Sequence, residues 1–149
     1  MGKQLRFMIR KLQKCDIEEV LDIWLEASII AHDFIEKSYW VSKATDVKDL
    51  YIPNSETYLY ENEDGISGFF SLHENILAAI FVKPNQQGKG IGTKLLQKAK
   101  EIRNFLTLTV YKENSRGVWF YEKAGFRTVK EQKDENTGHP EIFMQWPLE

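Results

Sequence analysis

Three glycines at alternate positions, Gly88, Gly90 and Gly92, lie between a continuous apolar run and an amphipathic helical pattern. Glycine is costly inside regular elements and useful where the backbone turns sharply or approaches another group closely. A strand, a glycine turn and a helix together present unpaired backbone N–H groups at a helix N-terminus, where the helix dipole favours negative charge. The segment therefore predicts a site at which backbone amides bind an anionic group.

Two familiar anion-binding motifs do not fit this segment. A P-loop has the spacing G-x-x-x-x-G-K-[ST], whereas Lys89 lies between the glycines. A dinucleotide-binding fingerprint has the spacing G-x-G-x-x-G in an early βαβ unit, whereas this chain has G-x-G-x-G after a hairpin-like pair of strands. A tight structural turn without a ligand is the remaining alternative.

The surrounding patterns predict one α/β domain over residues 1–149. Strands are predicted over 5–12, 57–61, 66–73, 75–82, 105–110, 126–131 and 142–146, and helices over 17–31, 91–102 and 115–124. A less regular helical stretch over 31–51 has a break near His32. Asp16 and Glu19 have the spacing of a capping box at the first helix, and Asn62–Gly65 predicts a hairpin turn. The strand over 75–82 is apolar on both faces and is expected at the centre of the sheet.

Composition and charge argue against several classes of function. The 149 residues are 42% hydrophobic and 28% charged with a net charge of −2, which argues against nucleic-acid and membrane partners. No apolar run could span a bilayer, and the N-terminal segment lacks a signal-peptide pattern, so we expect a cytoplasmic protein. The one cysteine, Cys15, allows no intrachain disulfide. His32, His73 and His139 lack ligand spacing, so no metal is expected. A monomer and a homodimer are both left open.

A second segment, Asn114–Phe126, follows the glycines some twenty residues downstream and reads NSRGVWFYEKAGF. Together, Gln87–Gly92 and this segment resemble two signatures of the GNAT superfamily of N-acetyltransferases, [QR]-x-x-G-x-[GA] and N-x-x-A-x-x-F-Y-x-K-x-G-F. Gly117 stands where alanine is commoner. Residues 23–40 and 74–82 are also similar to a narrower group, the small bacterial peptidyl-lysine N-acetyltransferases of the YiaC and YjaB type.

The resemblance implies a mixed, mostly antiparallel sheet of six to seven strands, splayed at its centre and flanked by about four helices. It also implies acetyl-CoA as the co-substrate, with the pantetheine arm along a strand edge and the pyrophosphate on the glycine loop. The residues that it assigns to this ligand are Ile80, Phe81, Val82, Gln87, Gly88, Lys89, Gly90, Ile91, Gly92, Thr93, Asn114 and Lys123. For the two lysines the alternative is a solvated side chain, and for Asn114 it is helix capping alone.

By the same resemblance, Tyr121 reaches the sulfur of CoA and acts as general acid to the leaving thiolate. A phenol with a pKa near 10 that donates its proton to a thiol with a pKa near 8.5 does so uphill by about 2 kcal/mol. We therefore expect Tyr121 to stabilise the thiolate by hydrogen bonding as much as by proton transfer. A core aromatic residue is the alternative.

An acceptor lysine needs a base, because an amine with a pKa of about 10.4 is only about 0.1% neutral near pH 7.4. Many relatives carry a glutamate in the strand before the glycine loop, where this chain has Ile76. Glu74 is the nearest carboxylate and is expected on the same strand face, so it is the predicted base. His73, expected on the opposite face, and a water relay are the alternatives.

The helix break near His32 lines the acceptor side of the cleft in relatives. The resemblance therefore makes His32, Asp33, Phe34 and Tyr39 candidates for substrate binding, with ordinary loop packing as the alternative. The predicted function is transfer of the acetyl group of acetyl-CoA to a primary amine by direct attack, above all to a protein lysine. A small-molecule amine (a polyamine, an aminoglycoside or an amino acid) and a non-catalytic acyl-CoA sensor are the alternatives.

Overall fold

A computed structural model of the chain describes residues 6–147. In this part of the chain seven strands form one sheet in the order β1-β2-β3-β4-β5-β7-β6. The strands are β1 (Phe7–Lys11), β2 (Glu56–Asn62), β3 (Gly65–His73), β4 (Ile76–Val82), β5 (Leu106–Tyr111), β6 (Arg127–Lys133) and β7 (Pro140–Trp146). The helices are α1 (Ile17–Ala31), α2 (Lys37–Asp46), α3 (Ile91–Ile102) and α4 (Ser115–Lys123). The predicted element order and fold class are confirmed, although residue 5 of the first predicted strand lies outside the described residues.

Apolar side chains on the two faces of the sheet form two separate cores. One core lies under α3 and α4 and contains Phe70, Leu95 and Phe126. The other lies under α1 and α2 and contains Val20, Trp40 and Phe69. The two helical layers therefore cover opposite faces of one sheet, as alternating strand patterns require. No helix among residues 6–147 is long and apolar enough to cross a bilayer.

The start of α1 differs from the predicted capping box. The carboxylate of Asp16 lies 2.8 and 3.1 Å from the guanidinium of Arg10 and accepts the backbone N–H of Gln13 at 2.8 Å. Asp16 makes no side-chain hydrogen bond to the first turn of α1, so the predicted pairing with Glu19 is wrong. The Arg10 guanidinium lowers the pKa of this buried carboxyl. The ion pair ties β1 to the chain segment that enters α1.

The centre of the sheet is splayed between β4 and β5. These parallel strands share a single register pair, Ile76 with Thr107, whereas β4 pairs with β3 along most of its length. Ser71 pairs with Ala79 and Leu72 with Leu77, which leaves one extra residue, Ala78, in β4. Such a bulge bends and twists its strand. The expected splay at the centre of the sheet is thus confirmed.

Candidate active site

The glycine loop has a shape that only glycine adopts without strain at two of its positions. Gly88 and Gly90 both have φ near 81°, and Gly90 is the residue from which α3 begins. A Cβ at either glycine would meet no protein atom within 4 Å. The first intrahelical bond joins Lys94 N–H to the Gly90 carbonyl. The N–H groups of the first turn, at Ile91, Gly92 and Thr93, therefore have no acceptor within the helix and can bind an anion.

The loop is held in place by Gln86, which the sequence reading did not single out. This buried side chain donates to Asp64 at 3.1 Å and accepts from Asn62 and Lys89, each at 3.3 Å. Gln87 donates to the Val82 carbonyl at 3.2 Å. The β2–β3 hairpin thus fixes the loop from outside, and Lys89 is held at its rim. The polar residues of this hairpin are evident in the sequence, but their contact with Gln86 depends on tertiary structure.

Backbone groups of β4 face the splay at alternate residues. Lys83 N–H donates to the Ser67 carbonyl at 2.8 Å, and hydrogen-bonded pairs alternate along an antiparallel ladder. Phe81 therefore bonds to β3, whereas the N–H and C=O groups of Ile80 and Val82 point toward β5. Of the three strand residues predicted to bind the co-substrate, Ile80 and Val82 offer backbone groups to a ligand in the splay. The side chain of Phe81 packs on the α1 side of the sheet.

Asn114 caps α4 in the described structure. Its side-chain oxygen accepts the Gly117 N–H at 3.1 Å. A Cβ at position 117 would lie 2.6 Å from the Asn114 amide nitrogen, so glycine at this position allows the cap to close tightly. Helix capping by Asn114 is thus confirmed, whereas its contact with a ligand stays a prediction.

Tyr121 lies on α4 among aromatic side chains. Its ring is 5.3 Å from that of Phe120 and 5.7 Å from that of Phe126. Burial raises the pKa of the Tyr121 phenol, and the Tyr121 side chain as a whole is half-buried. Phe120 would lie 3.5 Å from a Cβ at Gly92, so α4 packs directly against the first turn of α3. The structure thus brings the Tyr121 helix to the glycine loop.

Lys123 lies apart from this arrangement. Its ammonium is 4.8 Å from the centre of the Trp119 ring, and Trp119 is 61% exposed. The pair lies on the solvent side of α4. Lys123 therefore has a partner of its own on the protein surface, and its predicted contact with a CoA phosphate is left as a prediction.

The break between α1 and α2 buries His32. The His32 ring is 8% exposed, stacks on Trp40 at 4.8 Å and meets Tyr111 edge-on at 5.3 Å. Burial lowers the pKa of His32, so the ring is neutral at pH 7. Among the described residues, His32 Nδ1, Trp40 Nε1 and Ser28 Oγ are buried without a hydrogen-bond partner. The break therefore buries three polar atoms among the apolar side chains that lie under α1 and α2.

A cavity of about 370 Å³ lies between this break and the β6–β7 connection. Phe34, Glu36, Tyr39, Thr137 and His139 line it. Two predicted substrate residues, Phe34 and Tyr39, thus come together, whereas Asp33 is exposed.

The β6–β7 connection is anchored beside this cavity by residues that the sequence reading missed. Tyr111 donates a hydrogen bond to Asp134, and His139 lies 2.9 Å from Glu113. Burial, followed by the hydrogen bond to Asp134, raises the pKa of Tyr111. These partners are more than twenty residues apart in sequence, so no local pattern links them.

A second cavity, of about 460 Å³, lies along the first half of β4 on the α1 side. Its wall includes Trp24, Phe69, Ile76 and Ala79, and His73 lies at one end. The two candidate bases, His73 and Glu74, lie in positions that differ from the predicted ones. His73 is the register partner of Ile76, and cross-strand partners share a face, so His73 does not point to the opposite face.

Glu74 does not continue β4 on the strand face of Ile76. It has φ 55° in the turn between β3 and β4, is exposed, and its backbone carbonyl accepts from Arg103 at 2.8 Å. The expected same-face relation to Ile76 is therefore wrong, because the alternation of a strand does not extend through a turn. Its role as base stays a prediction.

No group of three His, Cys, Asp or Glu side chains in residues 6–147 is placed to hold a metal ion. Instead, the site combines an anion-binding helix start, unpaired strand amides, a half-buried phenol and two cavities on the opposite face of the sheet. This arrangement can bind a long anionic ligand through the splay and a second molecule from the α1 side.

Comparison with known proteins identifies relatives over almost the whole chain. The acetyltransferase (GNAT) domain family matches residues 53–128. The peptidyl-lysine N-acetyltransferase YiaC of Escherichia coli is 34% identical over 95% of this chain and 97% of its own. The solution structure of apo YjaB from Escherichia coli superposes with a TM-score of 0.83 at 26% identity, covering 95% and 97% of the two chains. The PaiA N-acetyltransferase of Thermoplasma acidophilum in complex with coenzyme A shares the fold, with a TM-score of 0.79 at 22% identity over 94% and 98%.

Proposed function

Because this chain belongs to the GNAT acetyltransferase family and is therefore an acetyl-CoA-dependent N-acetyltransferase, we propose that its acceptor is the side-chain amine of a protein lysine. The observation that carries this proposal is the similarity to YiaC along 95% of the chain. The α1 side of the sheet agrees with this proposal, since the larger cavity has a mostly apolar wall that suits the methylene chain of lysine. The smaller cavity combines the aromatic rings of Phe34 and Tyr39 with polar side chains.

Acetyl-CoA enters the splay from the α3 side. The first-turn amides of α3 bind its pyrophosphate, since the helix dipole favours negative charge there. The backbone groups of Ile80 and Val82 hydrogen-bond to the pantetheine arm. These are groups that β5 would pair with if the two strands were joined along their full length. This places the thioester at the centre of the sheet, within reach of the opposite face.

Transfer then proceeds by direct attack. The neutral amine adds to the thioester carbonyl carbon, the C–N bond forms, and the C–S bond breaks as CoA leaves as thiolate. A strand N–H from Ile80 or Val82 donates to the developing oxyanion, a contribution of about 3 kcal/mol in comparable sites. Because burial raises the pKa of Tyr121, its phenol stays protonated and stabilises the thiolate chiefly as a hydrogen-bond donor.

The test is thiol release from acetyl-CoA by the purified protein with a lysine peptide, the same peptide with arginine in place of lysine, a polyamine mixture, or no acceptor. We expect release with the lysine peptide only, and mass spectrometry to place the acetyl group on the lysine Nζ. Release with polyamines alone would overturn the protein acceptor. Tight acetyl-CoA binding without release to any amine would favour a sensor.

A further inference from the structure

His73 ends β3 at the open end of the larger cavity. Its register partner is Ile76, which is 43% exposed and cannot take a proton. Ala78 and Ala79 continue the cavity wall along β4, and Ile80, whose backbone groups face the splay, follows them in the strand. The imidazole therefore lies on the face of β4 from which an acceptor approaches.

The hydrogen bond of the ring determines which nitrogen is available. His73 Nδ1 lies 3.1 Å from the backbone carbonyl of Asn54, and a carbonyl only accepts hydrogen bonds, so Nδ1 carries the proton. In the neutral ring, Nε2 then has a free lone pair. The Asn54 segment is itself ordered, since Asn54 donates to Leu50 and Ser55 to Tyr51, each at 2.7 Å. The fold thus fixes the tautomer that a base requires.

No other described residue on the cavity wall offers a comparable group. Tyr51 is the only further titratable side chain that lines the cavity, and Ser71 is hydrogen-bonded to Thr57 at 2.7 Å. Outside the wall, Glu74 lies in the adjoining turn, and Glu56 is paired with Arg103 at 2.7 Å. Each of these is either committed to a partner or turned toward solvent.

The geometry points to His73 as the general base of acetyl transfer. Its Nε2 takes one proton from the acceptor ammonium, directly or through one water, and leaves a neutral amine that attacks the thioester. After the C–N bond forms, the second nitrogen proton passes to the CoA thiolate beside Tyr121. The imidazolium returns its proton to solvent at the exposed end of β3, so each turnover releases one proton. This inference rests on amine acetylation and holds for any amine that the enzyme accepts.

The test compares His73→Gln and His73→Ala with Glu74→Gln, the variant of the competing candidate base. At pH 7.4 we expect both His73 variants to lose about 100-fold in kcat/KM for the acceptor, with acetyl-CoA affinity unchanged. The loss in Glu74→Gln should be smaller than the loss in either His73 variant. Added imidazole should restore His73→Ala, which leaves room for it, and not His73→Gln. A folded His73→Gln variant with wild-type kcat/KM, or an equal loss in Glu74→Gln, would overturn the inference.

A pH series distinguishes a base from a structural residue. The neutral fraction of lysine rises about 100-fold between pH 7.4 and 9.4, so the loss in the His73 variants should shrink as pH rises. A loss that is constant with pH and is not rescued by imidazole would make His73 structural. A wild type that acetylates none of the amines overturns the function and this inference together, whereas an active wild type with an unimpaired His73→Gln overturns His73 alone.

Discussion

Replacing Gly90 with valine should separate backbone strain from loss of phosphate binding. Gly90 has φ 81° and ψ 10°, a conformation that costs an L-residue about 1–2 kcal/mol. Since a Cβ there meets no protein atom within 4 Å, backbone strain is the expected penalty in the unliganded protein, which lowers Tm by about 2–8 °C. With acetyl-CoA, valine also blocks the approach to the amides of Ile91 and Gly92. Losing two hydrogen bonds to charged oxygens, at about 1.5–3 kcal/mol each, weakens binding by at least about 100-fold.

Gly138→Val is the matched control. Gly138 has φ 77° in the β6–β7 connection, and its Cβ would make only an ordinary contact, at 3.7 Å from Lys133. Thermal unfolding should show similar losses of stability for the two variants, while isothermal titration with acetyl-CoA should show a loss of affinity in Gly90→Val only. A folded Gly90→Val variant with wild-type affinity would refute the pyrophosphate assignment. Equal loss of affinity in both variants would refute its localisation to the glycine loop.

Three further outcomes follow from the site and the fold. Tyr121→Phe should lower turnover at least tenfold, by loss of the donor to the thiolate, with acetyl-CoA affinity nearly unchanged; normal turnover would remove Tyr121 from the mechanism. Asp16→Asn should cost about 1–3 kcal/mol at pH 7. Because Arg10 lowers the pKa of Asp16, this stability is present above pH about 4 and is lost as the pH falls through the lowered pKa, so the absence of a Tm deficit in Asp16→Asn at pH 7 would contradict the ion pair. Phe34→Ala should raise the acceptor KM alone, and exposed Val41→Ala should change neither KM, which steady-state kinetics would check.

Local signals were sufficient for the ligand-binding half of the site. The glycine loop needs positive φ at Gly88 and Gly90, and α3 follows it with an apolar face of Ile91, Leu95 and Ala99. All of these features lie within twelve consecutive residues, 88–99. The order β5-β7-β6 and the anchoring of the loop by Gln86 are long-range outcomes, and no short window of sequence contains them.

The acceptor half depended on geometry that counting along the chain cannot supply. The turn at Glu74 interrupts the alternation of faces, so His73 and Ile76 lie on one face against expectation. The extra residue at Ala78 interrupts the alternation again farther along β4. Asp16 has the local spacing of a helix cap, but the guanidinium of Arg10 competes successfully for its carboxylate. In both cases, structure that the short sequence pattern does not contain determined where the side chain lies.

The gap between β4 and β5 means that the free protein contains an internal sheet edge. With one register pair across it, the sheet consists of two halves, β1 to β4 and β5 to β7, which also share the apolar core under α3. Amides that face the gap, such as those of Ile80 and Val82, should exchange with deuterium quickly in the free chain and slowly with ligand bound. A ligand bound in the gap contacts both halves of the sheet. The co-substrate therefore contributes to the cooperativity of unfolding as well as to the reaction.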